Sequence, residues 1–410
     1  MITGREILML SSQDWTEVWT RKQRFARKLA RQGNRVLYVN VQASWASAGL
    51  IKADWRRPFR WIGGPKPIEE NLFVGTLPLA IPGYQMSLVV NAVNNLFMRQ
   101  VLRQWMRTLG LRSPILWTYN PYSERLLGQL GESCVVYECV DELTASRGLV
   151  RTEVVREQER RLITAADLVI VTHENLYRSK QPKARRIHLI PNAAEVEHFA
   201  KASDPATPIA EEIAALKRPV IGVVGTLQYW IDFDLIRYLA EQRPKWSFAL
   251  IGPRGRLART DKVEGLSNVH LLGRRPYAAL PSFIRGLDVC LNPYVLDETA
   301  LNCSPLKLYE YVASGRPVVS ADMPEAHKFA DVIGIGRSYE DVLARLEDAL
   351  KPEAVTERAV QARMQAARGH SWDARLAQME QALAEALTAR SIQESASNSW
   401  AVRSAAARHE

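Results

Sequence analysis

The sequence predicts an α/β protein of two doubly wound parallel-sheet domains. Three observations predict it. Apolar runs of strand length recur along the whole chain. Helical stretches separate them. The chain has 410 residues, too many for one ordinary hydrophobic core.

The first-half runs are "EILMLSS" (6–12), "RVLYVNV" (35–41), "PILWTY" (114–119), "CVVYECV" (134–140), "DLVIVT" (167–172) and "IHLI" (187–190). The second half continues with "PVIGVVG" (219–225), "SFALIG" (247–252), "NVHLLG" (268–273), "DVCLNPY" (288–294) and "RPVVSA" (316–321). These runs are continuously apolar, which fits strands buried on both faces of a parallel sheet. Strand–helix alternation makes each sheet doubly wound. The turn-rich, aperiodic stretch "PNAAEVEHFAKASDPATP" (191–208) marks the boundary. The predicted domains are 1–195 and 196–370. An amphipathic helix at 371–390 follows, and then a polar tail, 391–410, expected to be disordered.

Composition narrows the partners. No run of eighteen or more apolar residues occurs, and the N-terminus lacks the pattern of a signal peptide, so a cytoplasmic location is expected. Cys134, Cys139, Cys290 and Cys303 form no Cys-x-x-Cys pair, which argues against structural zinc and a disulfide framework. Residues 1–200 hold 28 Lys+Arg against 18 Asp+Glu, whereas residues 201–410 hold 26 of each. The whole net charge of +10 therefore lies in the first half, which faces something acidic. No nucleic-acid motif accompanies it, so nucleic acid is not the expected partner.

The stretch "NCSPLKLYEY" (302–311) carries the most chemistry. Ser304 suits an N-cap and Pro305 the first helical position. The free N–H groups of Leu306 and Lys307 then make an anion site with the helix dipole, and Lys307 adds a full charge. Glu310, one turn on, is placed to accept ribose hydroxyls. Taken alone, the stretch is explained more simply by a capped helix with an i,i+3 Lys–Glu pair. Other strand ends point the same way, because ligands of doubly wound sheets lie at the carboxyl ends of strands. "VGTLQYW" (224–230) brings Gly225 and Thr226. "LIGPRGR" (250–256) brings Arg254 and Arg256. "GRRPYAALPSFI" (273–284) brings Arg274, Arg275, Pro276 and Tyr277. No G-x-G-x-x-G follows an early strand and no P-loop occurs, so a nicotinamide cofactor is not expected.

"LLGRRPYAALPSFIRGLDVCLNPY" followed by "PLKLYEYVASGRPVVS" resembles the nucleotide-sugar half of GT-B glycosyltransferases. "LIPNAAEVEHF" resembles their inter-domain segment, and "HSWDARLAQME" the last helix, which crosses back to the first domain. "KQRFARKLA" (22–30), "NRVLYVN" and "VVYECVDEL" extend the likeness over nearly the whole chain. It is nearest to bacterial enzymes of cell-envelope polysaccharide assembly, similar to teichuronic-acid-type and xanthan glucuronosyltransferase-type transferases. The resemblance implies two Rossmann-like domains, the first facing acceptor and membrane, the second binding a nucleotide diphosphate sugar. The donor is a substrate, with UDP the expected nucleotide, and no further cofactor or metal is implied. Ser304, Leu306 and Lys307 would hold its diphosphate and Glu310 its ribose, while Arg274, Arg275 and Pro276 would lie along the base. Many retaining relatives carry two glutamates seven residues apart. Glu310 matches the second, but Asn302 occupies the place of the first, which favours an inverting reaction.

Inversion needs a base for the acceptor hydroxyl. Asp141, after "CVVYECV", is read equally well from the residues as that base or as a helix cap. Inverting relatives carry an aspartate after this strand, which favours the base. Asp14, in "SSQDWTEVW" (11–19), is the alternative, or else part of a solvated loop. Membrane contact is expected from "ADWRRPFRWIGG" (53–64), "LAIPGYQMSLVV" (79–90) and "NLFMRQVLRQWMRTLGLR" (95–112). In the last, Arg99, Arg103 and Arg107 form a basic stripe, with Leu96, Leu102, Trp105 and Leu109 as apolar surface. The expected protein is thus a metal-independent glycosyltransferase, peripheral at the inner face of a membrane, acting on a lipid-linked saccharide. A nucleotide-sugar epimerase of the same fold and a non-catalytic nucleotide-sugar-binding protein are the competing readings.

Overall fold

The computed structural model describes residues 1–16, 19–43, 57–142 and 151–406. The chain forms two units: Met1–Ile190 together with the residues from Leu376 onward, and Pro191–Arg375.

The first unit is built on an eight-stranded sheet in the order β3-β4-β2-β1-β5-β6-β7-β8. Its strands are β1 (Glu6–Leu10), β2 (Arg35–Val39), β3 (Lys66–Glu69), β4 (Leu72–Gly75), β5 (Ile115–Thr118), β6 (Cys134–Cys139), β7 (Leu168–Val171) and β8 (Ile187–Leu189). Among the described residues of this sheet, only the β3–β4 pair is antiparallel. The sequence reading missed both of these strands. β3 is a mostly exposed edge with a charged residue at each end, and β4 is short, so neither shows a long apolar run. The six expected strands all form, and β5, β6 and β7 are buried throughout.

The main helices of this unit are α1 (Arg21–Arg31), α2 (Leu88–Leu109), α3 (Thr152–Ala165) and α4 (Glu174–Lys180). Thr20 and Gln23 close a capping box at the start of α1, and left-handed Gly110 (φ 68°) ends α2.

The second unit has a six-stranded, all-parallel sheet in the order β11-β10-β9-β12-β13-β14. The strands are β9 (Val220–Val224), β10 (Ser247–Ile251), β11 (Val269–Gly273), β12 (Val289–Asn292), β13 (Val318–Ala321) and β14 (Gly334–Gly336). Strand β9 feeds two cores. Val220 and Val224 pack on one face, Ile221 and Val223 on the other. Side-chain alternation along a strand covered by helices on both sides produces this split. Strand order reverses between β9 and β12, which is where such sheets bind ligands. Helices α5 (Phe233–Gln242), α6 (Leu306–Ala313), α7 (Tyr339–Ala349) and α8 (Glu357–Arg368) flank the sheet.

Helix α9 (Trp372–Ala406) corrects the expected tail. Residues 391–406 continue the helix instead of becoming disordered, and residues 407–410 lie outside the described residues. The earlier part of α9 is fastened to the first unit. Glu380 accepts from the Ile2 N–H (2.8 Å), and Arg390 pairs with Asp167 (2.6 Å).

Glycine follows β9 and β10 and closes β11, and the backbones there nest closely. Gly225 donates to the Ile251 carbonyl (2.8 Å), and Gly252 donates to the Gly273 carbonyl (2.9 Å). A Cβ on Gly252 (φ +156°) would lie 1.9 Å from the Gly225 carbonyl oxygen. Backbone cannot yield as a flexible side chain would. Gly252→Ala is therefore expected to destabilise the fold by roughly 3 kcal/mol or more. Urea unfolding checks this, and an unchanged midpoint would contradict the close approach.

Candidate functional site

Helix α6 begins beside the point where strand order reverses. Its hydroxyl Tyr311 Oη accepts from the Val224 N–H (2.6 Å) and donates to the Val224 carbonyl (3.1 Å). This buried phenol fastens the helix to the last residue of β9, immediately before Gly225. Burial, above all, pushes its pKa well above the ordinary tyrosine value.

Ser304 is not the N-cap that the sequence suggests. Pro305 holds that position in extended conformation (φ −71°, ψ 125°), with no side-chain cap bond. Ser304 instead accepts from the Asn192 N–H (3.1 Å) and donates to Glu325 (2.7 Å). Its carbonyl accepts from the Asn192 side-chain amide (2.5 Å). Glu325 is fully buried. It also accepts from the Tyr309 hydroxyl and pairs with Lys328 (2.8 Å). Burial and then Glu325 raise the Tyr309 phenol well above its usual range. Asn192, Glu325 and Tyr309 thus set the position of the helix start. Sequence reading missed this role because the three are spread from residue 192 to residue 325. The "PNAAE" segment was a visible signal only through its place between the domains.

With the helix start fixed, Lys307 is directed inward. It is 8% exposed, and its ammonium has no hydrogen-bond partner among the described residues. Nζ lies 5.1 Å from the ring centre of Tyr294, just after β12. On the other side is Gly225 (φ +118°), where a Cβ would come within 3.5 Å of Lys307 Cε. Lys307 therefore sits between the ends of β9 and β12. Burial pushes its ammonium down to about 8, while Glu310 acts in the opposite direction. The first turn of α6 contains no acidic residue. A cation held at the positive end of a helix dipole, out of water, is an arrangement that an anion would relieve.

The predicted residues divide into two groups. Gly225, Lys307 and Glu310 come together, flanked by the partly exposed Thr226 and Leu306 and by buried Pro305. Others turn elsewhere. Arg254 forms an exposed ion pair with Glu264 (2.8 Å). Arg275 bonds Glu212 (3.0 Å) and lies over Phe283 (5.4 Å). Tyr277 stacks on His198 at 4.7 Å between ring centres, and its carbonyl faces His198 Nε2 (3.0 Å). Asn302 donates to the Glu298 carbonyl (2.7 Å) at the end of a short helix. Arg274 and Pro276 are exposed.

In the first unit, Asp141 follows β6 by way of Val140. Its backbone carbonyl accepts from Cys139 Sγ (3.4 Å), and Thr172 holds the Val140 carbonyl (2.8 Å). Surrounding atoms crowd the Asp141 carboxyl and raise its pKa, opposed by Lys22 first and Arg21 second. The residue nevertheless keeps solvent-accessible surface, so water moderates the effect of crowding. Residues 143–150, where a helix capped by Asp141 would run, lie outside the described residues.

Asp14 corrects the solvated-loop alternative. It is buried and paired with Arg57, which donates through both terminal nitrogens, one of them at 3.0 Å. Trp15 and Trp19 pack edge-on at 5.1 Å beside it.

Residues 234–381 match the sequence family described as Glycosyl transferase-like. Over 227 residues the chain is 26% identical to TuaH of Bacillus subtilis (strain 168), a protein named for glycosyl transfer in teichuronic acid biosynthesis. That alignment covers 52% of this chain and 56% of TuaH, so the chain spans about half the length of this curated relative. Among solved structures, sucrose-phosphate synthase from Thermosynechococcus elongatus superposes with a TM-score of 0.71 at 15% identity, covering 94% of this chain and all of that one. The Escherichia coli trehalose-6-phosphate protein bound with UDP-2-fluoro glucose gives 0.67 at 14% identity, covering 93% of this chain and 99% of its own. The α,α-trehalose 6-phosphate synthase of Burkholderia multivorans gives 0.64 at 13%, covering 94% and 99%. The protein thus has the GT-B fold of these sugar-phosphate synthases, and its second unit carries a glycosyl transferase-like sequence.

Proposed function

We propose that the protein is a glycosyltransferase moving a sugar from a nucleotide diphosphate donor to a saccharide carried on a lipid. The observation that carries this reading is Lys307. A buried ammonium, with no hydrogen-bond partner among the described residues, stands at a helix start where strand order reverses. Diphosphate supplies the missing charge. Glu310, one turn further along α6, suits the ribose. A UDP-sugar is the donor class we assign, in keeping with the UDP sugar bound by one structural neighbour.

Chemistry follows from charge. As the glycosidic bond to the diphosphate breaks, negative charge grows on the leaving oxygen. Lys307 and the first N–H groups of α6 stabilise that charge more strongly in the transition state than in the bound donor. We assign Asp141 as the base that takes the proton of the acceptor hydroxyl, whose oxygen then attacks the anomeric carbon. Direct displacement inverts that carbon. The cationic helix start takes the part that a metal plays elsewhere, so the proposed reaction is metal-independent. A lipid-borne acceptor places the enzyme at a membrane surface on the cytoplasmic side.

Lys307→Met is expected to separate binding from stability. Loss of a charge-assisted contact weakens donor binding by roughly 1.5–3 kcal/mol. Stability changes the other way. The folded-state value of about 8 lies below the ordinary lysine value of 10.5. Folding at neutral pH therefore buries a charged group at a cost of roughly 3 kcal/mol. That cost is present below pH 8 and disappears as pH rises towards 10.5. At neutral pH the variant should melt higher and bind UDP or UDP-glucose less tightly in calorimetry. Equal nucleotide affinity would remove Lys307 from the site.

The same titration sets a pH dependence. Wild-type affinity for UDP should fall as pH rises through about 8, where Lys307 loses its proton. The Met variant should show no such slope. A wild-type affinity flat from pH 7 to 10 would contradict the assignment.

Asp141→Asn should retain UDP affinity and lower transfer by roughly a hundredfold or more, the usual scale for a lost general base. Transfer at the wild-type rate would exclude Asp141 from the chemistry.

A further inference from the structure

Helix α2 has its polarity reversed over its first three turns. Asn91, Asn94 and Asn95 are buried. Val89 (74% exposed), Val93, Leu96 and Phe97 (59%) face outward, continued by Met86 just before the helix. The spacing 89, 93, 96, 97 places these side chains on one stripe. The buried asparagines explain how such a helix stays in place. Asn91 donates to the Tyr122 carbonyl (2.9 Å) and Glu124 (2.8 Å), and Asn95 donates to the Tyr122 carbonyl (2.7 Å). Asn94 donates to Gln42 (2.9 Å) and accepts from the Ile81 N–H (3.2 Å). Hydrogen bonds therefore fix the rotation of α2 and hold its apolar stripe outside.

The structure corrects the surface expected from sequence. Leu102 and Trp105 are core residues, and Arg99 and Arg103 bond Gln129 and its carbonyl. Of the residues expected to give apolar surface, Leu96 is well exposed and Leu109 partly so. A second exposed pair, Phe59 and Ile62, flanks Trp61, which packs on the same core cluster as Met98 and Leu102. Trp55 lies outside the described residues.

We infer that this apolar stripe, with Phe59 and Ile62, is a docking face for an anionic lipid bilayer. Charge selects that occupant. No Asp or Glu occurs between Glu70 and Glu124, while Arg99, Arg103, Arg107 and Arg112 do. Along the outward stripe of α2 the apolar residues give way to Gln100, Gln104 and exposed Arg107. Aliphatic and aromatic groups enter the acyl boundary, and guanidinium groups remain at the phosphates. No described helix is long and apolar enough to cross a membrane, so the contact is peripheral. This inference deepens the lipid-borne acceptor reading, and its test needs no sugar transfer.

The full chain is sedimented with phosphatidylcholine vesicles, with and without about one third phosphatidylglycerol. Wild type should pellet with the anionic vesicles and remain largely in solution with the neutral ones. Val93→Ser/Phe97→Ser should lower partitioning roughly tenfold, since each buried side chain adds to the free energy of insertion. Gln104→Ser is the control expected to leave it unchanged. Both sites are exposed, and an unchanged melting temperature confirms folding. Failure of wild type to pellet, equal binding to neutral vesicles, or equal binding by the double variant would each overturn the inference. So would a concentration-dependent dimer, seen by light scattering and abolished by the double variant, because a second copy would then cover the face. UDP binding is measured in parallel. Its absence would sink the transferase reading while leaving the vesicle result intact.

Discussion

The second unit holds a buried ammonium, and the start of α6 is built around it. Lys307 lies buried at the start of α6 with no hydrogen-bond partner for its ammonium among the described residues. Leaving a buried charge unpaired is among the more costly arrangements a fold can hold. Several features make it persist here. Tyr311 ties the helix to β9, and the Ser304–Glu325–Tyr309 network with Asn192 fixes the turn before it. Gly225 lies against the end of the lysine side chain, and Tyr294 offers an aromatic face, which partly compensates a desolvated cation. Glu310 opposes the effect of burial on the ammonium. The surrounding structure therefore over-determines the position of one ammonium group.

The first unit repeats the arrangement with a different outcome. Lys22, in the first turn of α1, lies 5.3 Å from the ring centre of Tyr119, just after β5. Strand order reverses between β1 and β5, as it does between β9 and β12. Both units thus put a lysine at a helix start over a tyrosine at the reversal. In the first unit carboxylates accompany the cations. Arg21 pairs with fully buried Glu138, and Asp141 feels Lys22 and Arg21. Around α1 the carboxylates include a fully buried one, Glu138, whereas at α6 the carboxylate acting on Lys307 is the partly exposed Glu310.

How much of this was legible in the sequence follows from range. Continuous apolar runs reported the buried parallel strands, because burial on both faces removes polar positions. The charged edge β3 and the glycine strand β14 gave no such signal. Lys307 and Glu310 were legible because helix periodicity is local. The function of Ser304 was not, since its partners Asn192 and Glu325 are distant in the chain. A Ser-Pro pair reads as a cap whenever only neighbours are considered, and tertiary hydrogen bonds override that preference. Arg254 and Arg275 show the same limit. Their loops were placed at strand ends, but Glu264 and Glu212 then took the guanidinium groups.

Helix α2 shows why residue type alone misplaces a surface. Arginine every fourth residue with leucine and tryptophan between suggests an ordinary amphipathic face. In the fold, that face splits along the helix. Leu102, Trp105 and Met106 enter the core of the C-terminal half, whereas asparagines occupy the inward side of the N-terminal half. Buried asparagines need specific partners, and here backbone carbonyls and Gln42 provide them. An inward face of leucine would tolerate rotation of the helix; three asparagines with fixed acceptors do not. The outward valines, leucine and phenylalanine therefore cannot roll inward to escape water. A helix whose apolar stripe is locked outside by hydrogen bonds carries a cost in the isolated molecule, and contact with an apolar medium removes it.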